Sequence, residues 1–481
     1  MSALADAIRR GRPRLDLTRE SPFAGLHRRH ASVMDVVAQS IAATAPAGVM
    51  LVHPGALFGR SGSLAFTELL LTVGLVVAVA LVVGMFSRRI SSAGSLYTFT
   101  TRGLGPWAGI VGGAALAVGY LAIAMSTLSS GAMRIAGLVT SEPRSGSGVA
   151  VAVMAVTSVV TAGVIARGLR MSTRILLVLE TIAVAAVLAI AFAALSSTGW
   201  DLAPLVPQPT EFSPDIVMLG VAFAIIGFVG FESGAALGPE TRRPFASVPR
   251  GILVSVLATG AVVLVGTAAQ LALVAAGDPA GPWASVAGIG WIVDLIVATS
   301  FLACSLAMTN AATRLAFALS REGVIPDVFG RVSPRGVPAA GAILIAFAVF
   351  AVPAAVLLLG GSRDDLRVVT SPAGMIGFLV AYALVCVAAP VFLARIGELT
   401  IGAAVLSGVA GAILLAVLGT AVVSTSDTNP VGLVAVLGIL GLVSAAGMVR
   451  LRRGLGVIER VGLHDWAVAA DTIGGGGEGS R

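Results

Sequence analysis

Lysine is absent from this 481-residue chain, and charged residues of all kinds make up only 11% of it. A soluble globular protein carries about 25% charged residues. Without lysine the chain has no phosphate-binding loop of the GxxxxGK[ST] type, which disfavours a nucleotide-driven pump. The low charge and the 57% share of hydrophobic residues also exclude a cytosolic enzyme, a nucleic-acid-binding module and a disordered chain. A soluble fold of this size could not bury so much apolar surface.

Cysteine and histidine are equally scarce. The two cysteines, Cys304 and Cys386, both lie inside apolar runs, so we expect buried packing thiols and no disulfide. The four histidines show no ligand spacing. We therefore predict no metal site and no cofactor, other than a coupling proton or sodium ion.

Long apolar runs dominate what is present. A helix needs about 20 mostly apolar residues to cross the hydrocarbon core of a membrane. Twelve runs reach that length: 33–58, 64–86, 104–140, 148–168, 172–198, 213–238, 247–276, 284–318, 337–360, 370–394, 400–423 and 429–449. None shows the period-two alternation of a barrel strand. The runs predict an all-α integral membrane protein with 12 transmembrane helices.

Arginine is distributed unevenly between the loops. If the N-terminus is cytoplasmic, 25 of the 31 basic residues fall on the inner side, and Arg134 and Arg314 are ambiguous. The outer side receives only four: Arg60, Arg144, Arg363 and Arg367. Inner loops are enriched in arginine, so both tails, 1–32 and 450–481, are predicted to be cytoplasmic. The expected location is the plasma membrane, with no soluble domain.

Two of the runs contain residues that interrupt a helix. The first carries Thr44-Ala45-Pro46-Ala47-Gly48, and the sixth carries Gly227-Phe228-Val229-Gly230-Phe231-Glu232-Ser233-Gly234. Proline removes a backbone donor, and glycine lowers the cost of leaving helical geometry. Backbone freed in this way is tolerated at membrane depth only where it lines a cavity or a ligand.

The spacing of the two breaks suggests an internal repeat. Five spans after an inside start leave the chain outside, so a second five-helix unit would run inverted. Matching breaks in helices 1 and 6 are typical of a 5+5 inverted-repeat transporter core with its site near the membrane midplane. The predicted repeats are 33–198 and 213–394, with two additional helices in 400–449.

Three ordered motifs carry a resemblance to a known family. They are Ser92-Ala93-Gly94-Ser95-Leu96-Tyr97-Thr98-Phe99 with Arg102-Gly103-Leu104-Gly105-Pro106; Gly230-Phe231-Glu232 with Leu237-Gly238-Pro239-Glu240, Pro244 and Ser247-Val248-Pro249-Arg250; and Asn310, Arg314 and Arg321-Glu322-Gly323-Val324-Ile325-Pro326. The sequence resembles an amino acid permease of the amino acid–polyamine–organocation (APC) superfamily over nearly its whole length. It departs from the family pattern at Pro239-Glu240, where an acidic pair is usual, and at Ala45-Pro46-Ala47-Gly48, where many relatives have a GxG segment.

The resemblance implies a secondary active transporter that moves amino acids by alternating access. The substrate's carboxylate would bind the free backbone amides of the broken segment, which consists of Thr44, Ala45, Pro46, Ala47 and Gly48. Its ammonium would bind carbonyls at the sixth-span break, near Gly227 and Gly230. Phe228 or Phe231 would either gate the substrate or pack between helices.

Ionisable groups at membrane depth are costly and suggest function. Four carboxylates fall there: Glu68, Glu180, Glu232 and Asp294. Glu232 adjoins the sixth-span break and is a candidate gating or coupling residue, as is Glu180.

Two coupling schemes compete. In sodium-coupled relatives the eighth span supplies hydroxyls, here Ser300 and Ser305. Proton-coupled relatives carry a fifth-span lysine, and the corresponding position is Ala183, so that lysine scheme is excluded. A protonatable Glu180 or Glu232, or exchange of one substrate for another, remains open.

Three alternative functions are left open by the sequence. A polyamine or other organic-amine transporter of the same superfamily would place extra acidic residues around the site. A channel or a uniporter that works as a pore would neither saturate nor show trans-stimulation, and a membrane-embedded enzyme would need clustered catalytic groups. The expected partners are an amino acid substrate and the lipid bilayer, without nucleic acid; the oligomeric state is not predicted.

Overall fold

The computed structural model describes residues 21–140, 143–207, 212–277, 290–454 and 456–465. Parts of the two predicted cytoplasmic tails, 1–20 and 466–481, lie outside the described residues, and so does the beginning of the eighth apolar run, 284–289.

The regular elements of these ranges are all helices, and the only β-type pairing in them is one isolated bridge between Ala31 and Thr241. The α-helices are α1 (Val33–Thr44), α2 (Pro46–Ser61), α3 (Ala65–Ser87), α4 (Leu96–Leu104), α5 (Pro106–Val139), α6 (Pro143–Arg167), α7 (Leu169–Ser197), α8 (Pro214–Ala224), α9 (Pro244–Ala275), α10 (Gly290–Arg321), α11 (Ala339–Leu358), α12 (Arg363–Arg395), α13 (Ile401–Thr428), α14 (Pro430–Arg453) and α15 (Val457–Arg460). The predicted all-α membrane fold is confirmed.

In the described ranges, eleven helical stretches are long and apolar enough to cross a membrane. The first of them, Val33–Ser87, is 55 residues long and contains two of the predicted runs. As one straight helix it would measure about 80 Å, far more than the hydrocarbon thickness of about 30 Å. A short 3₁₀ turn at Gly62–Leu64 separates α2 from α3 within it. Twelve crossings and the inverted repeat therefore stay predictions.

The centre of the bundle is formed by α5, which packs most extensively against α10 and α12. Glycine permits the close approach at both interfaces. A Cβ on Gly131 would lie 3.0 Å from the carbonyl oxygen of Ala298 in α10, and one on Gly377 of α12 would lie 2.6 Å from that of Ala115. Small residues allow such backbone contact between membrane helices, where dispersion drives association.

The first and the last described residues of the chain pack at the same end of the helix bundle. The backbone N–H groups of Gly462 and Leu463 donate to Glu322 Oε1 at 3.0 and 2.9 Å, and the Tyr97 hydroxyl donates to the other oxygen. We call residues 461–465, with Tyr97 and Glu322, the terminal clasp. Glu322 follows the last residue of α10, and burial raises the pKa of its carboxyl to about 8.

A second contact joins the clasp to the N-terminal segment. The buried carboxylate of Asp465 accepts a hydrogen bond from Ser21 at 2.6 Å and ion pairs from Arg28 and Arg29 at 2.9 and 3.0 Å. The clasp and the N-terminal segment thus cover this end of the helices together.

Candidate functional site

The first predicted break is present in the structure. Helix α1 ends at Thr44, Ala45 adopts a left-handed conformation (φ 48°, ψ 55°), and α2 begins at Pro46. A non-glycine residue in this region costs about 1–2 kcal/mol. Ala45 is buried in the core of the bundle. Strained backbone of this kind is kept in place by the packing around it.

The break leaves two backbone N–H groups at the start of α2 without a helical partner. Ala47 N–H donates to Glu180 Oε1 at 3.1 Å, and Gly48 N–H donates to Ser300 Oγ at 3.1 Å. The Ser300 hydroxyl in turn donates to Glu180 Oε1 at 3.0 Å. The amides predicted to bind a substrate carboxylate therefore already bind side chains of the protein. A substrate could reach them only if Glu180 and Ser300 moved.

Glu180 is 1% exposed. Its second oxygen, Oε2, is buried and has no hydrogen-bond partner among the described residues. One carboxylate oxygen thus caps a helix N-terminus, where negative charge is favoured, while the other stays available to a cation or proton.

The second predicted break is also present. Helix α8 ends at Ala224, a 3₁₀ turn covers Ile225–Gly227, and a second 3₁₀ segment runs over Phe231–Glu240. Between them Gly230 has φ +96°, and a Cβ there would lie 3.0 Å from the Cβ of Ala43 in α1. The two interrupted helices therefore touch at their breaks.

Glu232 fixes the second break. Its carboxylate accepts hydrogen bonds from the hydroxyls of Tyr120 at 2.9 Å and Tyr382 at 2.6 Å, and from Gly230 N–H at 3.2 Å. Tyr120 belongs to α5 and Tyr382 to α12. Both carboxylate oxygens of Glu232 are bonded, whereas Glu180 has one that is not.

A cavity of about 360 Å³ is lined by both breaks. Thr44 and Ala45 contribute from the first, and Gly227 and Val229 from the sixth span. Its walls are mostly apolar, with hydroxyls on α5; the lining includes Val49, Val52, Ile123, Ser126, Thr127, Ser130, Phe223, Ile226, Phe301, Cys304 and Met375.

Three arginines line the far end of the cavity: Arg60, Arg363 and Arg367. Arg60 follows Ala45 by fifteen residues of α2, about 20 Å along the helix. No aspartate or glutamate lines the cavity within the described part of the chain. The cavity therefore runs from the breaks to a positively charged mouth.

Several predicted site residues lie away from this cavity. Phe228 and Phe231 are fully buried and do not line it, and the Phe231 ring packs 5.3 Å from that of Tyr382. Phe223 and Phe301 face the cavity instead. Ser305 donates to the carbonyl oxygen of Ala124 at 3.0 Å, so it does not join Ser300 at the first break.

The other two membrane carboxylates do not line the cavity either. Glu68 is buried against Gly220 and accepts a hydrogen bond from Ser61 at 2.6 Å. Asp294 pairs with Arg134 and is 41% exposed. These contacts give neither residue a part in the cavity.

Comparison with known proteins gives the family. A family model described as amino acid permease matches residues 32–423, most of the chain. The chain belongs to the amino acid permease family. The three ordered motifs and the broken helices agree with this membership.

The permease is similar to proteins of several organisms. It is 25% identical over 299 residues to the branched-chain amino acid permease BcaP of Bacillus subtilis, covering 55% of this chain and 63% of that protein. It is 30% identical over 147 residues to the BcaP of Lactococcus lactis, covering 28% and 31%. An uncharacterized transporter of Mycobacterium tuberculosis is 27% identical over 324 residues, covering 64% and 69%. The match spans less than two thirds of the length of either branched-chain permease.

Two tyrosines of the permease, Tyr120 and Tyr382, are site residues that sequence reasoning missed. The chain has only three, and each is fully buried with its hydroxyl bonded to a buried glutamate: Tyr97 to Glu322, Tyr120 and Tyr382 to Glu232. A buried tyrosine needs a partner for its hydroxyl. The chain has few tyrosines and few carboxylates at membrane depth, and this scarcity was the signal that could have suggested that they pair.

Proposed function

We propose that this permease is a secondary active transporter that carries neutral amino acids with apolar side chains across the plasma membrane by alternating access. The observation that carries the proposal is the cavity lined by both helix breaks. Its volume of about 360 Å³ falls in the range of small-molecule sites, about 300–1,000 Å³. Its apolar walls suit an aliphatic side chain, and a relative named as a branched-chain amino acid permease supports the same class.

Charge argues against the polyamine alternative. A cationic amine needs carboxylates around it, and none lines the cavity in the described residues. Three arginines stand at the mouth, and Arg363 Nε is buried without a partner. Like charges repel strongly where water is partly excluded. Zwitterions, which carry a carboxylate as well, are admitted past these arginines, and polyamines are repelled.

Glu180 is the proposed coupling residue. Its carboxylate occupies the α2 amides together with Ser300. In the proposed cycle a proton or sodium ion binds at the free Oε2, the carboxylate loosens from Ala47, and the substrate's carboxylate takes its place. Glu232, bonded at both oxygens, holds the second break in shape.

The proposed orientation places both tails in the cytoplasm. The three mouth arginines all come from segments that the arginine distribution assigns to the outer side, and the terminal clasp covers the opposite end. The cavity then opens outward in this conformation. Protease accessibility of tags at both tails in right-side-out and inside-out vesicles tests this orientation, and cleavage from outside would refute it.

Uptake into proteoliposomes tests the function. Labelled leucine and lysine are offered under separately imposed proton and sodium gradients, with Glu180→Gln compared against Glu398→Gln, an exposed carboxylate paired with Arg89. We expect saturable, trans-stimulated leucine uptake that one gradient drives and that Glu180→Gln uncouples. Uptake that neither saturates nor shows trans-stimulation would favour a channel or uniport pore, and preferred uptake of cationic amines would refute the substrate class.

A further inference from the structure

A second cavity lies on the outside of the helix bundle, away from the substrate cavity. It measures about 700 Å³ and runs between α5, the end of α10 and α14. We call it the α14 groove. Small residues of α5, Gly113, Ala114 and Ala117, form its floor, and Val443 and Ala446 of α14 form one wall.

The groove is apolar along most of its length and basic at one end. Arg450 and Arg453 line that end, one turn apart and therefore on one face of α14. Both are exposed, and neither side chain forms an ion pair or a hydrogen bond within the described residues. No acidic side chain lines the groove in that part of the chain.

The neighbouring arginine shows where the basic end lies relative to the membrane. Arg452 stands over the ring of Trp107 at 5.5 Å, and Trp107 is 41% exposed at the beginning of α5. Tryptophan is enriched at the headgroup level of the bilayer. The basic end of the groove therefore lies at the interface, and from Arg453 to Val443 the groove extends along α14 about 15 Å toward the hydrocarbon.

We propose that the α14 groove binds an anionic phospholipid. One acyl chain lies on the small residues of α5, and the phosphate lies between Arg450 and Arg453. The occupant must be apolar along about ten residues of helix and negatively charged at one end. A free phosphate would contact only the two arginines and leave the apolar length of the groove unfilled, and a zwitterionic lipid would not balance two arginines.

Lipid binding to the purified full chain tests the proposal without any measurement of transport. Delipidated protein in detergent is titrated with phosphatidylglycerol or phosphatidylcholine, and bound lipid is counted by native mass spectrometry. Arg450→Gln combined with Arg453→Gln removes the charge, and Ala446→Phe fills the groove. The matched controls on the same helix are Arg452→Gln and Ala445→Phe; residue 445 is exposed and does not line the groove.

We expect wild type and both controls to bind phosphatidylglycerol in preference to phosphatidylcholine. Loss of two arginines near the surface should weaken the binding of phosphatidylglycerol about thirtyfold and abolish the preference for it over phosphatidylcholine. Ala446→Phe should remove the binding of both lipids. Equal binding by wild type, the double variant and Ala446→Phe would overturn the proposal. Equal loss in the controls would do so too, since it would place the lipid elsewhere on α14.

Discussion

Replacing Gly230 by alanine is the sharpest test of how the two helix breaks fit together. Gly230 has φ +96°, a conformation that alanine adopts at a cost of about 1–2 kcal/mol. The added Cβ would collide with the Met308 methyl group and would lie 3.0 Å from the Cβ of Ala43. Overpacking of this kind costs about 1–3 kcal/mol. Together the two effects predict a loss of about 2–5 kcal/mol in folding free energy.

The assay pairs thermal unfolding in detergent with leucine uptake after reconstitution. Gly230→Ala should unfold several degrees lower than wild type and lose most of its uptake, because the strain falls where α1 and the sixth span meet. The matched control is Gly438→Ala in α14, where a Cβ would meet nothing within 4 Å. Alanine there should leave uptake unchanged and stabilise the helix slightly. If Gly230→Ala unfolds and transports like wild type, the packing argument at the breaks is wrong.

Three further outcomes are expected. Tyr382→Phe removes a hydroxyl that donates to Glu232 at 2.6 Å, which should cost about 1–3 kcal/mol and lower the unfolding temperature; an unchanged temperature would contradict the role of that bond. Glu322 has its folded-state pKa raised from 4.5 to about 8, so the folded state binds the proton more tightly, and the terminal clasp should be most stable below pH 4.5 and weaken as the pH rises through 8. Hydrogen exchange at residues 461–465, corrected for intrinsic rate, should show this dependence in wild type and lose it in Glu322→Gln; identical profiles would refute the assignment. Arg363→Gln with Arg367→Gln should raise lysine uptake relative to leucine uptake, and an unchanged ratio would show that the mouth arginines do not select charge.

The helix breaks were predictable because their causes are local. Pro46 cannot donate a backbone hydrogen bond, and Gly230 tolerates a positive φ, whatever lies around them. The pairing of Glu180 with Ser300 was suggested only in part, as two separate coupling candidates. Their meeting at the α2 amides depends on how α7 and α10 pack against α2, which periodicity does not encode.

The positions of the aromatic side chains could not be predicted from the sequence. Phe228 and Phe231 adjoin the break in sequence, yet the turn at Gly230 directs both into the core, and Phe223, one turn earlier on α8, reaches the cavity with Phe301 of α10. The direction of a side chain beside a non-helical segment is set by tertiary packing. The glutamate-bound tyrosines are missed for a similar reason, since Tyr120 and Tyr382 lie more than a hundred residues from Glu232.

The native thiol of Cys304 can report directly whether substrate binds in the cavity between the two helix breaks. Cys304 lines the cavity and donates to the carbonyl oxygen of Ala43 at 3.1 Å, beside the first break. Cys386, fully buried elsewhere, is removed as Cys386→Ser, and the rate at which a small methanethiosulfonate modifies Cys304 is measured with and without amino acids. We expect leucine to slow the modification in a saturable way and lysine to leave its rate unchanged. A thiol that reacts at the same rate with every amino acid, in protein that still transports, would place the substrate site elsewhere.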